Sequence, residues 1–290
     1  MSAPTQTRQS PARVGARSRA LMGSLSSSTK LALACLLVIV LCAVLGPLLW
    51  PLEPLALTSD VFRAPSLAHP LGTDDLGRDM FARVLSGARV TLLVGTVSAL
   101  ISAVIGTVIG AIAAYAGGVV DDVLMRFTEL FQVIPRFLLA IVIVAIFGGG
   151  EVVIVPVIGL LSWIGTARIV RSRIMVLKNE EFVLAAIMGG ASAWRVVTRH
   201  ILPNVASYLI VSVCLQMGAA ILIESSLSFV GLGDPLKPSW GLLLQQAQIY
   251  LQTAWWLTVF PGLALSSTIL CLNVLGDGLS AGNDLSRARH

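Results

Sequence analysis

Charge is scarce in this 290-residue chain: Asp, Glu, Lys and Arg make up 12% of it. Soluble domains carry about twice that share, so a wholly water-facing surface is excluded. Lysine is rarer still, with only Lys30, Lys178 and Lys237, and none of them follows a glycine. A GxxxxGK[ST] phosphate loop is therefore absent, and so is ATP binding through one. The four cysteines, Cys35, Cys42, Cys214 and Cys271, all sit in apolar runs without CxxC spacing. That excludes a disulfide framework or a zinc knuckle and leaves them as small apolar side chains. The three histidines, His69, His200 and His290, are far apart in sequence. The net charge of +5 comes almost wholly from arginine, which in a membrane protein marks cytoplasmic helix ends rather than nucleic acid binding.

Hydrophobic residues, by contrast, make up 56% of the chain, at a mean hydropathy of +0.87. They are gathered into runs. Leu31 to Trp50 is uncharged, follows a Ser-, Arg- and Pro-rich stretch, and is long enough to cross a bilayer. It is longer than a usual signal core and no A-x-A site follows, so it reads as an uncleaved first span. Val90 to Val120 is the longest run, and its Gly106 and Gly110 form a GxxxG pair that permits close helix contact in lipid. Phe137 to Gly150 is too short to cross unless its helix begins earlier, within the amphipathic stretch Asp121 to Arg136. Val152 to Ala167, Ile201 to Ile223 and Ala254 to Gly276 complete six spans.

The resulting organisation is all-α and polytopic. It comprises a disordered basic tail over 1–30, a first span over 31–50, an external loop with an amphipathic segment over 51–88, and a five-span core over 89–280. The core carries a cytoplasmic loop over 171–204, and a second tail follows over 281–290. With the N terminus inside, the outside segments keep only Arg63, Arg78, Arg83, Arg89 and Lys237 of the 20 basic residues. That bias places both termini in the cytoplasm.

Two segments invite a function. Glu180 to Asn204, EEFVLAAIMGGASAWRVVTRHILPN, combines a short helical pattern over about 181–193 with a Gly-Gly break and an Ile-Leu-Pro. It reads either as a helix that transmits force to a soluble partner or as an amphipathic helix resting on the membrane. In the fifth span Ser212, Gln216, Ala220 and Glu224 recur every four residues. They line a translocation path or act as interhelical glue, and Glu224 is the clearest intramembrane carboxylate. Asp74, Asp75 and Asp79 lie among Gly72, Gly77 and Arg78, a setting for turns and helix caps more than for a metal.

The loop resembles the coupling motif of ABC importer permeases, in which Glu-Ala-Ala is followed by Gly and then Leu-Pro. Ala185 and Ala186 match the alanines, Gly190 the glycine, and Leu202 and Pro203 the Leu-Pro. Leu184 stands at the glutamate position, with Glu180 and Glu181 just before it. HPLGTDDLGRDMFARVLSGAR (69–89), ESSLSFVGLGDPLKPSWG (224–241), WWLTVFPGLAL and NVLGDGL resemble the C-type permeases of dipeptide, oligopeptide and nickel importers. The resemblance implies a type I ABC importer permease fold with six transmembrane helices, working by alternating access in the plasma membrane. It implies a second homologous permease, cytoplasmic ATPase subunits, an extracytoplasmic substrate-binding protein and membrane lipid as partners, and neither cofactor, metal nor catalytic residue. The rival classes are an ATP-independent carrier or channel and an intramembrane enzyme. The enzyme would need paired catalytic groups at membrane depth.

Overall fold

The computed structural model describes residues 26–50 and 53–287, so most of the basic tail expected over 1–30 lies outside the described residues. Ser26 caps the first helix, α1 (Ser27–Leu49), by accepting a bond from the Thr29 backbone N–H. Asp79 does the same for α2 (Met80–Ala116), accepting from Ala82 at 2.9 Å. The second span thus begins about ten residues before the uncharged run, inside the stretch expected to be external loop. Gly117, at φ 65°, ends α2.

The third span differs from expectation. It is not one helix begun early but two, α3 (Gly118–Val133) and α4 (Arg136–Phe147), bent by 78° at the break. Pro135 is the cause: it pushes Ile134 into extended backbone, at φ −84° and ψ 125°. The 12 residues of α4 reach only about 18 Å. The chain returns through α5 (Glu151–Leu177). The expected loop over 171–204 is shorter than supposed, because Arg171 to Leu177 still belong to α5. Next come α6 (Glu181–Met188), the short α7 (Ala193–Arg195), a π-helical stretch Val196–Ile201, and α8 (Leu202–Leu227). A second π-helical stretch, Ser228–Leu232, leads to the short helix α9 (Trp240–Ala247). The last helix, α10 (Trp256–Arg287), takes in most of the segment expected as a C-terminal tail. Among the described residues, five helices or helix runs are long and apolar enough to cross a membrane, and the bent pair, counted as one span, would bring the number to six.

The GxxxG reading finds its physical cause at the contact of α2 with α5. A Cβ on Gly106 would stand 2.6 Å from the Trp163 carbonyl oxygen, and one on Gly110 would stand 3.0 Å from the Val170 Cβ. Only glycine lets the two backbones come this close. Around this seam, α8 packs against α2, α5 and α10, and α1 packs against α2 and α10.

The end of the molecule away from α6 is covered by a folded loop. Asp74 accepts from the Leu76 and Arg78 backbone N–H groups at 3.0 and 2.8 Å, and its carboxylate also receives the Arg83 guanidinium. Asp74 therefore serves turn and ion pair, and Asp79 the helix cap. Trp256 donates to the Thr73 carbonyl at 3.1 Å and Trp240 to the Val84 carbonyl at 2.9 Å, tying the loop and α9 to the outer helix ends.

Candidate functional site

At the opposite end of the molecule α6 lies almost free. Its buried side chain is Val183, at 0% exposure, which sits in a cluster with Ile174, Leu177, Val196 and Ile201. Glu181 and Ala185 are exposed, Ala186 is half-buried, and Leu184, at the resemblance's glutamate position, is 45% exposed. Phe182, Ile187 and Met188 are exposed as well. An apolar helix face turned outward on a single apolar anchor is costly in water and suits a partner surface. Glu180 and Glu181 make no ion pair among the described residues.

The glycine of the motif has a backbone reason. Gly190 stands at φ 80°, donates its N–H to Ile187 at 2.9 Å, and is followed by Ala191 donating to Ala186 at 3.1 Å. That pair of bonds is a Schellman motif, which needs a left-handed residue at the position of Gly190. The expected helix over about 181–193 thus stops at Met188. The Leu-Pro also acts through the backbone. Pro203 has no N–H for the carbonyl four residues back, and the turns just before it open into the π-helical stretch Val196–Ile201. The Asn204 side-chain amide reaches back to the His200 carbonyl at 2.6 Å. Leu202 is half-buried and Pro203 exposed.

This surface is braced from behind. Arg171 forks onto Asp121, both bonds at 2.5 Å, joining α5 to α3. Lys178 donates to the Ala114 carbonyl at 3.2 Å, joining the end of α5 to the last turn of α2. The Arg173 guanidinium lies 3.8 Å from the centre of the Tyr208 ring on α8. None of these three contacts is legible from spacing within one segment.

The polar stripe of α8 divides into two sites. Ser212 and Gln216 meet α2 and α5 at one junction. Ser102 donates to the Gln216 side-chain oxygen at 2.7 Å, the Gln216 amide donates to the Thr166 hydroxyl, and Thr166 and Ser212 are bonded at 3.0 Å. Glu224 lies two turns outward, at 2% exposure, and accepts from Ser228 at 2.8 Å and Ser225 at 3.2 Å. Glu151, paired with Lys237 at 3.6 Å, lines the same small enclosed recess. Within this chain Ser212, Gln216 and Glu224 face neighbouring helices and hydroxyls.

Comparison with known proteins bears on the whole of this arrangement. Residues 106–284 match the family model described as binding-protein-dependent transport system inner membrane component. The dipeptide transport system permease protein DppC of Bacillus subtilis (strain 168) is 39% identical over 262 residues, covering 88% of this chain and 82% of the relative. The oligopeptide transport system permease protein OppC of Escherichia coli (strain K12) is 45% identical over 213 residues, 73% of this chain and 70% of the relative. The glutathione transport system permease protein GsiD of Pectobacterium atrosepticum is 41% identical over 216 residues, covering 74% and 72%.

Proposed function

The chain belongs to the family of inner membrane components of binding-protein-dependent transport systems, and from that premise we propose that it moves peptides across the membrane as one half of a permease pair. It is a multi-pass ABC-importer permease, with ATP hydrolysis supplied by separate subunits and substrate delivered by a binding protein. The proposal adds the cargo, the second homologous chain and the orientation. Peptide cargo is supported by the relatives' names, which run from dipeptide to oligopeptide to glutathione. Cytoplasmic termini are supported by the arginines gathered at the α6 end, together with the few cations left at the other.

The observation that carries the mechanism is the outward apolar face of α6, held by Val183 and stopped by Gly190. An ATPase that grips this face drives α5 and α8 together, since α6 follows α5 by a short turn and runs into α8 through α7 and the π-helical stretch. Closure of the ATPase pair then turns the cavity between the two permeases from inward-facing to outward-facing, and binding-protein delivery starts the next cycle. The hydroxyl network of Ser102, Thr166, Ser212 and Gln216 supports a rigid movement, because it ties α8 to α2 and α5 at mid-span. Glu224 stays the candidate carboxylate for the path, although within this chain it is buried and bonded to Ser225 and Ser228.

Affinity purification from native membranes in mild detergent tests the assembly. Recovery of an ATPase and a second permease is expected. A chain that comes out alone, under conditions that preserve a known membrane complex, would remove the subunit reading.

A further inference from the structure

Beside the coupling surface, α2 and the start of the fifth span part to leave an apolar cavity of about 410 Å³. One wall is a single face of α2, with Val108, Ile112 and Tyr115 at helical spacing between residues 107 and 116. The other wall is the facing stretch 193–202, with Trp194, Val197 and Leu202. The α2 wall is nine helical residue steps long, about 14 Å.

The residues next to its lining are cationic. Arg195 and Arg199 flank the wall residues Trp194 and Thr198, are exposed, and make no ion pair among the described residues. Lys178 is bonded to the Ala114 carbonyl beside Tyr115, at the same end of α2. No carboxylate occurs between Gly190 and Glu224, and Asp121 is taken up by Arg171. Trp194, 77% exposed, has the amphipathic ring that favours headgroup depth.

We propose that this groove holds one acyl chain of an anionic phospholipid of the inner leaflet, with its phosphate between Arg195 and Arg199. The site rests on the orientation given above. Charge complementarity sets this occupant apart from a zwitterionic lipid. A lipid seated there braces the hinge between α6 and α8, so anionic lipid content regulates coupling.

The test uses the intact complex in vesicles of equal parts phosphatidylglycerol and phosphatidylcholine, with a photoactivatable acyl chain on either lipid. The expected result is preferential labelling of peptides 107–116 and 193–202 by phosphatidylglycerol, above the exposed α10 face at Leu263 and Leu270. Val108→Trp, which fills the groove from an exposed position, should remove that labelling at an unchanged membrane level. Arg195→Gln with Arg199→Gln should bring the two lipids to parity. Uniform labelling of all lipid-facing helices, a cross-link to protein in place of lipid, or a Val108→Trp variant labelled like the parent would overturn the proposal. ATPase recovery in the same preparation separates the two readings. ATPases retained beside uniform labelling would sink the lipid site alone, and ATPases lost beside groove labelling would sink the coupling role alone.

Discussion

The backbone N–H of Ala191 bonds to the carbonyl of Ala186 at 3.1 Å, across a Gly190 held at φ 80°. The match to the family's motif is thus a statement about chain direction. α6 must end there for the chain to turn back into the membrane. A Cβ on Gly190 meets no atom within 4 Å, so its cost is conformational. Gly190→Ala should weaken the turn by about 1–2 kcal/mol. Gly190→Arg adds bulk on the exposed face. Both should insert normally and slow ATP-dependent uptake, the arginine more so, as read by transport assay against immunoblotted membrane level.

Val183 and Leu184 are neighbours with opposite duties. Val183→Ala empties a fully buried site and should cost about 2 kcal/mol, lowering the thermal stability of the detergent-solubilised complex. Leu184→Ala trims a half-exposed side chain. It should leave stability unchanged and reduce ATPase co-purification. Equal effects of the two on stability would contradict the single-anchor picture.

Pro203→Ala restores a backbone N–H and lets the π-helical turns ahead of it close toward α geometry. That closure would rotate α7 against α8. Transport should fall severalfold while insertion is kept, whereas proline placed back at 203 restores it.

At the end away from α6, Arg83 is 2% exposed and bonded to Asp74 and, at 2.6 Å, to Gln246. Asp74 is also paired with Arg78 at 2.7 Å, so Asp74→Asn, which strands the buried Arg83 at a cost of about 3–5 kcal/mol, should lower expression and thermal stability more than Arg83→Met, and the double variant should recover part of the loss. An additive double variant would show that the pair is not coupled.

Much of this was legible in the sequence. The apolar runs marked out the long spanning helices, GxxxG marked the α2–α5 seam, and the block beginning at Glu180 marked the helix and turn proposed as the coupling surface. The start of α2 was hidden because two arginines interrupt the apolar pattern. Arg83 is neutralised by an aspartate nine residues back. Arg89 donates to the Ala43 and Val44 carbonyls at 2.6 and 2.9 Å, and Pro47 has no N–H to give the first of these. Such charges read as loop until their partners on another segment are known. The 78° bend in the third span had its signal in Pro135, outweighed by the apolar run that follows it. The division of the α8 stripe was not legible, because helical spacing gives a face but not which neighbours cover it.

The central claim is that α6 is the surface an ATPase grips. A photo-cross-linking amino acid placed at Leu184 or Met188, and for contrast at Leu236 on the opposite end, tests it in native membranes. The expected result is a cross-link from 184 or 188 to a subunit bearing a phosphate loop, and none to that subunit from 236. Failure of both inner positions to reach such a subunit, in membranes that import substrate, would contradict the claim.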